Sequence, residues 1–203
     1  MAIINQATKE LQVKIVYYGP GKGGKTTNLE QVHSNVQDVQ EKGKLVSLAT
    51  SSDRTLFFDF LPIEAMSIKG FKTKFQLYTV PGQVIYNTTR QLVLRGVDGI
   101  VFVADSQYDK MAENVESFSN LEENLKALKL NLGDIPYVLQ YNKRDLPNVA
   151  PVEYMEFLLN NRDVQVPSFS ASATKCEGVF DSLNMITRLL LNKFINEGNR
   201  KVA

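Results

Sequence analysis

Near the amino terminus the octapeptide Gly19-Pro20-Gly21-Lys22-Gly23-Gly24-Lys25-Thr26 fits the pattern GxxxxGK[ST]. Its flanks give the pattern its meaning. Before it, Leu11, Val13, Ile15 and Tyr17 alternate along the chain as in a strand; after it, Leu29, Val32, Val36 and Val39 recur every three to four residues as in a helix. A glycine-rich turn between strand and helix lets the backbone wrap around phosphate groups with its N–H groups turned inward. The helix N-terminus adds partial positive charge. In such a loop Gly21, Lys22, Gly23, Gly24 and Thr27 line the phosphates, Lys25 reaches the β- and γ-phosphates, and the Thr26 hydroxyl ligates Mg²⁺. The plain alternative is a strand-to-helix turn with no ligand.

The remaining pattern agrees with a phosphate loop of this kind. Leu45–Ala49 is a short candidate strand, Leu56–Leu61 and Phe71–Val80 read as a strand pair around Gly70, and Val97–Ala104 holds an apolar run typical of a strand buried on both faces. Val115, Phe118, Leu121, Leu125 and Leu128 mark a long helix. Ile135–Tyr141 is a strand, Val152–Leu159 a short helix and Val164–Ser168 a strand. Val179, Leu183, Ile186, Leu190 and Phe194 line a final helix. Strands alternating with helices predict an α/β fold, a parallel-type sheet covered on both faces, with ligands bound beyond the carboxyl ends of the strands.

Asn142-Lys143-Arg144-Asp145 follows the strand at 135–141 and fits NKxD. A carboxylate at a base edge can accept hydrogen bonds from guanine N1–H and N2–H₂, and adenine offers no such pair. A site built on those bonds can reject the wrong base by about 10⁴–10⁵-fold. Ser172-Ala173-Thr174 follows the next strand and is similar to a loop whose backbone N–H meets guanine O6; by itself it is equally a small-residue turn. The guanine-binding set is then Asn142, Lys143, Asp145, Ser172, Ala173 and Thr174.

Composition narrows the classes left. A chain of 203 residues with 43% hydrophobic and 22% charged residues suits one globular domain, and a net charge of +1 calls for neither nucleic acid nor an acidic surface. One cysteine, Cys176, fits a reducing, cytoplasmic setting. The start lacks a signal-peptide pattern, no apolar run approaches the roughly 20 residues of a membrane span, position 2 is Ala2 and no prenylation cysteine ends the chain. The expectation is a chain that is monomeric alone, without a lipid anchor, brought to membranes or cell poles only by partners.

Taken in order, these strings resemble those of Ras-like small GTPases over nearly the whole chain. Thr79-Val80-Pro81-Gly82-Gln83 stands where most of that family has DxxGQ. With Lys14-Ile15-Val16-Tyr17-Tyr18-Gly19-Pro20-Gly21, Asp53-Arg54-Thr55-Leu56-Phe57-Phe58-Asp59-Phe60 and Gly96-Val97-Asp98-Gly99, it is similar to the bacterial branch that governs cell polarity and gliding or twitching motility. The resemblance implies a three-layer αβα P-loop NTPase fold as one G domain over 1–203. The sheet would be six-stranded and mostly parallel, with an antiparallel edge region and a possible extra strand at 45–49. It implies slow hydrolysis of GTP to GDP and phosphate with Mg²⁺, two switch segments, and a Roadblock-type activating protein that donates no arginine. Thr55 would cap Mg²⁺ and the γ-phosphate, joining Thr26 as metal ligand. Gly82 would offer its N–H to the γ-phosphate, Gln83 would orient the attacking water, and Arg54 would stabilise the transferring phosphoryl group from within the same chain.

Each assignment has a plainer counterpart: Arg54 as a solvated loop residue, Gln83 as a polar residue opening a helix, His33 as structural, and the Tyr17-Tyr18 pair as packing. A binding module that never hydrolyses and a P-loop kinase are the competing functions; the arginine-rich lid of a kinase is not visible. Thr79 is the departure that matters. Most relatives place there an aspartate that holds a Mg²⁺-bound water, so this anchor is weakened or moved, with Asp59 or Asp53 as candidates to supply it.

Overall fold

The computed structural model describes residues 3–5, 8–35, 45–50, 54–68, 71–83, 86–162 and 164–200. Its strands are β1 (Ile3–Asn5), β2 (Glu10–Tyr18), β3 (Val46–Thr50), β4 (Arg54–Ile68), β5 (Phe71–Thr79), β6 (Gly99–Asp105), β7 (Tyr137–Asn142) and β8 (Ser168–Ser170). Its helices are α1 (Lys25–Asn35), α2 (Asn87–Leu94), α3 (Met111–Ala127), α4 (Val152–Leu159) and α5 (Val179–Arg200). The run Ile100–Ala104 has no polar side chain to turn toward water, and β6 is buried at all 7 of its positions. Such a strand needs cover on both faces. Val93, Phe118, Leu121, Leu125 and Met155 from α2, α3 and α4 pack on Val16, Ile100 and Phe102. Leu29, Val32, Val179, Ile186 and Leu190 from α1 and α5 pack on Ile15, Tyr17, Val101 and Val103. The three-layer arrangement is the expected one.

The sheet order is β3-β4-β5-β2-β6-β7-β8, with β1 paired to β2. β2 runs parallel to β5 and β6, β6 to β7, and β7 to β8, while β4 is antiparallel to β3 and β5. The six strands β4 to β8 and β2 form the Ras-type sheet, and β3 extends it at the edge where the extra strand was expected. β1 adds an antiparallel partner along residues 10–12 of β2, before β6 begins pairing at Ile15. Parallel order brings the carboxyl ends of β2, β5, β7 and β8 to one edge. Because β4 runs the other way, its beginning, Arg54 and Thr55, falls at that same edge.

Three expectations shift. The strand foreseen over 164–168 starts only at Ser168. Asn160 instead clamps Val166, with Oδ1 accepting from its N–H at 3.0 Å and Nδ2 donating to its C=O at 3.0 Å; Pro167 then has no N–H for a ladder. Val115 does not lie on the buried stripe of α3 but is 39% exposed. That stripe includes Asn114, Ser117, Asn120 and Asn124, which apolar periodicity overlooks. Helix α2 was not visible in the pattern at all. Val36, Val39, Asp53 and Gly70 lie outside the described residues.

Candidate active site

β2 ends at Tyr18 and α1 begins at Lys25, so the octapeptide forms the turn between them, as the spacing predicts. Gly24 has φ +98°, and a Cβ there would sit 2.1 Å from Asn142 Nδ2, so only glycine fits. Asn142 is the last residue of β7 and is buried. Its Nδ2 donates to Gly23 O at 2.8 Å and its Oδ1 accepts from Ala173 N at 2.8 Å. One side-chain amide therefore ties the phosphate loop to the Ser172-Ala173-Thr174 loop.

Lys25 is buried beneath the loop, with Nζ donating to Gly19 O at 3.0 Å and Pro20 O at 2.6 Å. Burial, foremost, and the nearby Arg90 cation bring its pKa down to about 7, against the pull of the Asp59 carboxylate. A phosphate oxygen set against Nζ would restore the charge.

A carboxylate reaches Thr79 from the neighbouring strand. The register that pairs Phe60 with Tyr78 sets Asp59 beside Thr79. Asp59 is buried, and its Oδ2 accepts from Thr26 Oγ1 at 2.6 Å and from Thr79 Oγ1 at 2.8 Å. Its backbone N–H donates back to Thr79 Oγ1 at 2.9 Å. A carboxylate and a threonine hydroxyl at the phosphate loop form a hard oxygen donor set, the kind Mg²⁺ prefers. The charge comes from β4 rather than β5, and Thr79 holds it in place. Thr55, the other expected ligand, lies near the start of β4, opposite Ala49 of β3, and Arg54 lies opposite Thr50.

Beyond Thr79 the chain bends through Pro81-Gly82-Gln83. A Cβ on Gly82 would lie 2.3 Å from Gly21 Cα, so this loop closes directly on the phosphate loop. Gln83 follows, partly exposed. The sequence reading missed what lies beneath. Arg90 of α2 is fully buried and donates from Nε to Pro81 O at 2.9 Å and from Nη2 to Gly82 O at 2.5 Å. A basic residue in an amphipathic helix normally reads as a solvated face, so nothing in the local pattern singled it out.

On the base side, Lys22, Gly24, Thr27, Lys143, Asp145, Ala173 and Thr174 line one cleft. Lys143 takes φ +66°, and its Nζ pairs with the buried Asp105 carboxylate at 2.6 Å. Asp145 is exposed at the rim. A hydrogen bond from the Ser172 hydroxyl, foremost, outweighs the opposing desolvation and, with its own backbone N–H and the cations of Lys175 and Lys143, holds its pKa below the usual carboxylate value. An ionised acceptor at this position suits paired N–H donors.

A phosphate loop opening α1 at the carboxyl edge of a doubly covered parallel sheet defines a P-loop nucleoside triphosphatase. The model of the Ras family matches residues 14–192. The chain is 52% identical over 198 residues to the mutual gliding-motility protein MglA of Myxococcus xanthus, which covers 98% of this chain and 100% of that protein. It is 26% identical over 140 residues to the Ras-related protein Rab-13 of Canis lupus familiaris, covering 68% and 66%. The chain belongs to the Ras family of small GTPases, and hydrolysis of GTP is its activity.

Proposed function

We propose that this G domain is a slow GTP/GDP switch that serves cell polarity and surface motility, as the name of the Myxococcus relative suggests for motility. The observation that carries the mechanistic reading is the Thr26–Asp59–Thr79 cluster, which supplies an anchor for Mg²⁺ where the usual aspartate is absent. Thr26 and Thr55 would hold the ion, with Asp59 fixing the Thr26 hydroxyl. The ion would neutralise charge developing on the β- and γ-phosphate oxygens. Lys25 and the loop N–H groups cradle the phosphates, Gly82 offers its N–H to the γ-phosphate, Gln83 orients water and Arg54 meets the charge on the transferring group. Asp145 reads guanine, with Asn142, Lys143 and the Ser172–Thr174 loop shaping the pocket.

The partner implied is a Roadblock-type, MglB-like activator that arranges these residues without inserting its own arginine. The setting implied is the cytoplasm; among the described residues no helix is long and apolar enough to cross a membrane. Single-turnover conversion of labelled GTP with Mg²⁺, with and without such a partner, tests the reading. Slow basal turnover that the partner accelerates supports it. Tight GTP binding with no turnover in either condition would make the chain a binding module instead.

Asp59→Asn should raise the Mg²⁺ concentration needed to retain nucleotide by about 10–100-fold, the usual cost of losing a residue that orients a metal ligand. Release of a fluorescent GDP across a Mg²⁺ titration measures this. Thr79→Asp alone, with Asp59 in place, should not strengthen Mg²⁺ retention beyond wild type. It would place a second carboxylate against Asp59, and like charges at that distance oppose joint ionisation. A Thr79→Asp protein with tighter Mg²⁺ dependence than wild type would contradict this account.

A further inference from the structure

Arg90 is a fully buried cation, and among the described residues no carboxylate is paired with it. Among the described residues its partners are Pro81 O, Gly82 O, Asn120 Oδ1 at 2.6 Å and Tyr18 OH at 3.3 Å, with the guanidinium 5.0 Å from the centre of the Tyr18 ring. The far side of this arrangement is itself braced. Asn124 Nδ2 lies within hydrogen-bonding distance of Tyr18 OH at 3.0 Å, Asn120 Oδ1 at 3.0 Å and Asn87 Oδ1 at 2.7 Å. Tyr18 OH donates to Asn120 Oδ1 at 2.7 Å, and Gln91 Nε2 donates to Asn124 Oδ1 at 3.0 Å. Desolvating a guanidinium is expensive, and a fold that keeps one here must hold its acceptors in fixed directions.

Those acceptors are the carbonyls of two successive peptides. A trans peptide is planar, with its N–H opposite its C=O, and the described residues hold no cis peptide. Drawing the Pro81 and Gly82 carbonyls onto one planar fork therefore turns the N–H groups of Gly82 and Gln83 away from Arg90. Gly82 is also the residue that touches Gly21 of the phosphate loop.

We infer that Arg90 is a positioning residue for hydrolysis: a buried latch that sets the Pro81-Gly82-Gln83 backbone so that its N–H groups meet a third phosphate. The inference rests on the reading that Gly82 and Gln83 face the γ-phosphate. It makes the guanidinium sensitive to whether the nucleotide is a triphosphate, because the fork is the internal side of the same peptides. Lysine would keep the charge but not the fork.

In Arg90→Lys, GDP should bind nearly as in wild type. Affinity for the slowly hydrolysed analogue GTPγS should fall about tenfold, the worth of a lost hydrogen bond to a charged group. Single-turnover hydrolysis should fall about 10²-fold, the cost of a small misplacement of reacting groups. Asn120→Ala, which keeps the fork but removes its brace, should move the GTPγS-to-GDP preference the same way by about fivefold. Circular dichroism establishes that each variant is folded. A folded Arg90→Lys with wild-type preference and turnover overturns the inference, as does an equal loss of GDP and GTPγS affinity, the mark of a merely structural role. If Arg90→Lys does not fold, an unchanged preference in Asn120→Ala overturns it. The preference is read at equilibrium, so it stands apart from the assignment of Gln83. Wild-type hydrolysis by Gln83→Ala would sink that assignment and leave the latch standing, provided Arg90→Lys still shifts the preference.

Discussion

Arg54→Ala should slow partner-stimulated GTP turnover by about 10³–10⁵-fold, the usual worth of an arginine on the transferring phosphoryl group. GDP affinity should stay close to wild type, because the charge that arginine meets develops only as the γ-phosphoryl group departs. β4 is antiparallel to β5, so its opening residue lies past the Thr79 end of β5, where it pairs with Thr50 of β3. Gln83→Ala should slow turnover comparably, with binding retained, since a water-orienting amide also acts only on the reacting complex. Arg54→Lys should rescue little, because an ammonium lacks the planar fork that spans phosphoryl oxygens. The measurement is single-turnover hydrolysis at saturating activator, paired with equilibrium GDP binding. If Arg54→Ala and Gln83→Ala both turn over like wild type under stimulation, the catalytic residues lie elsewhere in the chain or in the partner.

Legibility in the sequence followed the distance over which each feature acts. The phosphate loop and Asn142–Asp145 are contiguous strings at strand ends, and the parallel sheet that aligns those ends is implied by alternating strand and helix periods. Asp59 was legible only in part. Thr79 announced that the usual carboxylate was missing, and two nearby aspartates were candidates; that Asp59 lies against Thr79 follows from the β4–β5 register, which no local pattern encodes, while Asp53 lies outside the described residues. The Arg90 latch was not legible. Its partners come from β2, α2 and α3, and their polar side chains occupy positions that a hydrophobic periodicity treats as gaps. The same periodicity counted Val115 among the residues marking α3, although it is exposed while Asn114 and Ser117 are buried. At 164–168 the apolar letters suggested a strand, yet the Asn160 side chain satisfies the Val166 backbone and removes the need for a ladder. Tyr18 shows the middle case: it packs in the core as expected, and its hydroxyl also belongs to the polar network.

Asp145→Asn should exchange the base that the site prefers, from guanine to xanthine, shifting the GTP-to-XTP preference by about 10⁴-fold or more. A carboxylate presents only acceptors, which match guanine N1–H and N2–H₂. A carboxamide presents one acceptor and one donor, so its NH₂ would oppose the guanine amino group and leave buried donors unpaired. Xanthine carries an oxygen where guanine carries that amino group, and the pairing becomes complementary again. The surroundings of Asp145 add a second expectation. Hydrogen bonding from Ser172, foremost, with the Lys175 and Lys143 cations, lowers its pKa from the ordinary value. The carboxylate would be neutralised only as pH falls through that lowered value, so guanine preference should stay constant from neutral pH down to about 5, above the ordinary aspartate range. Ser172→Ala removes the largest of these contributions and should bring the acid loss of preference to higher pH without reversing the base choice. Competition between GDP and XDP for the wild type, Asp145→Asn and Ser172→Ala, carried from neutral pH to below the ordinary aspartate value, measures both effects. An Asp145→Asn protein that keeps the wild-type preference would show that the base is read by other groups in the cleft, whose lining includes Lys143, Leu146, Ala173 and Thr174.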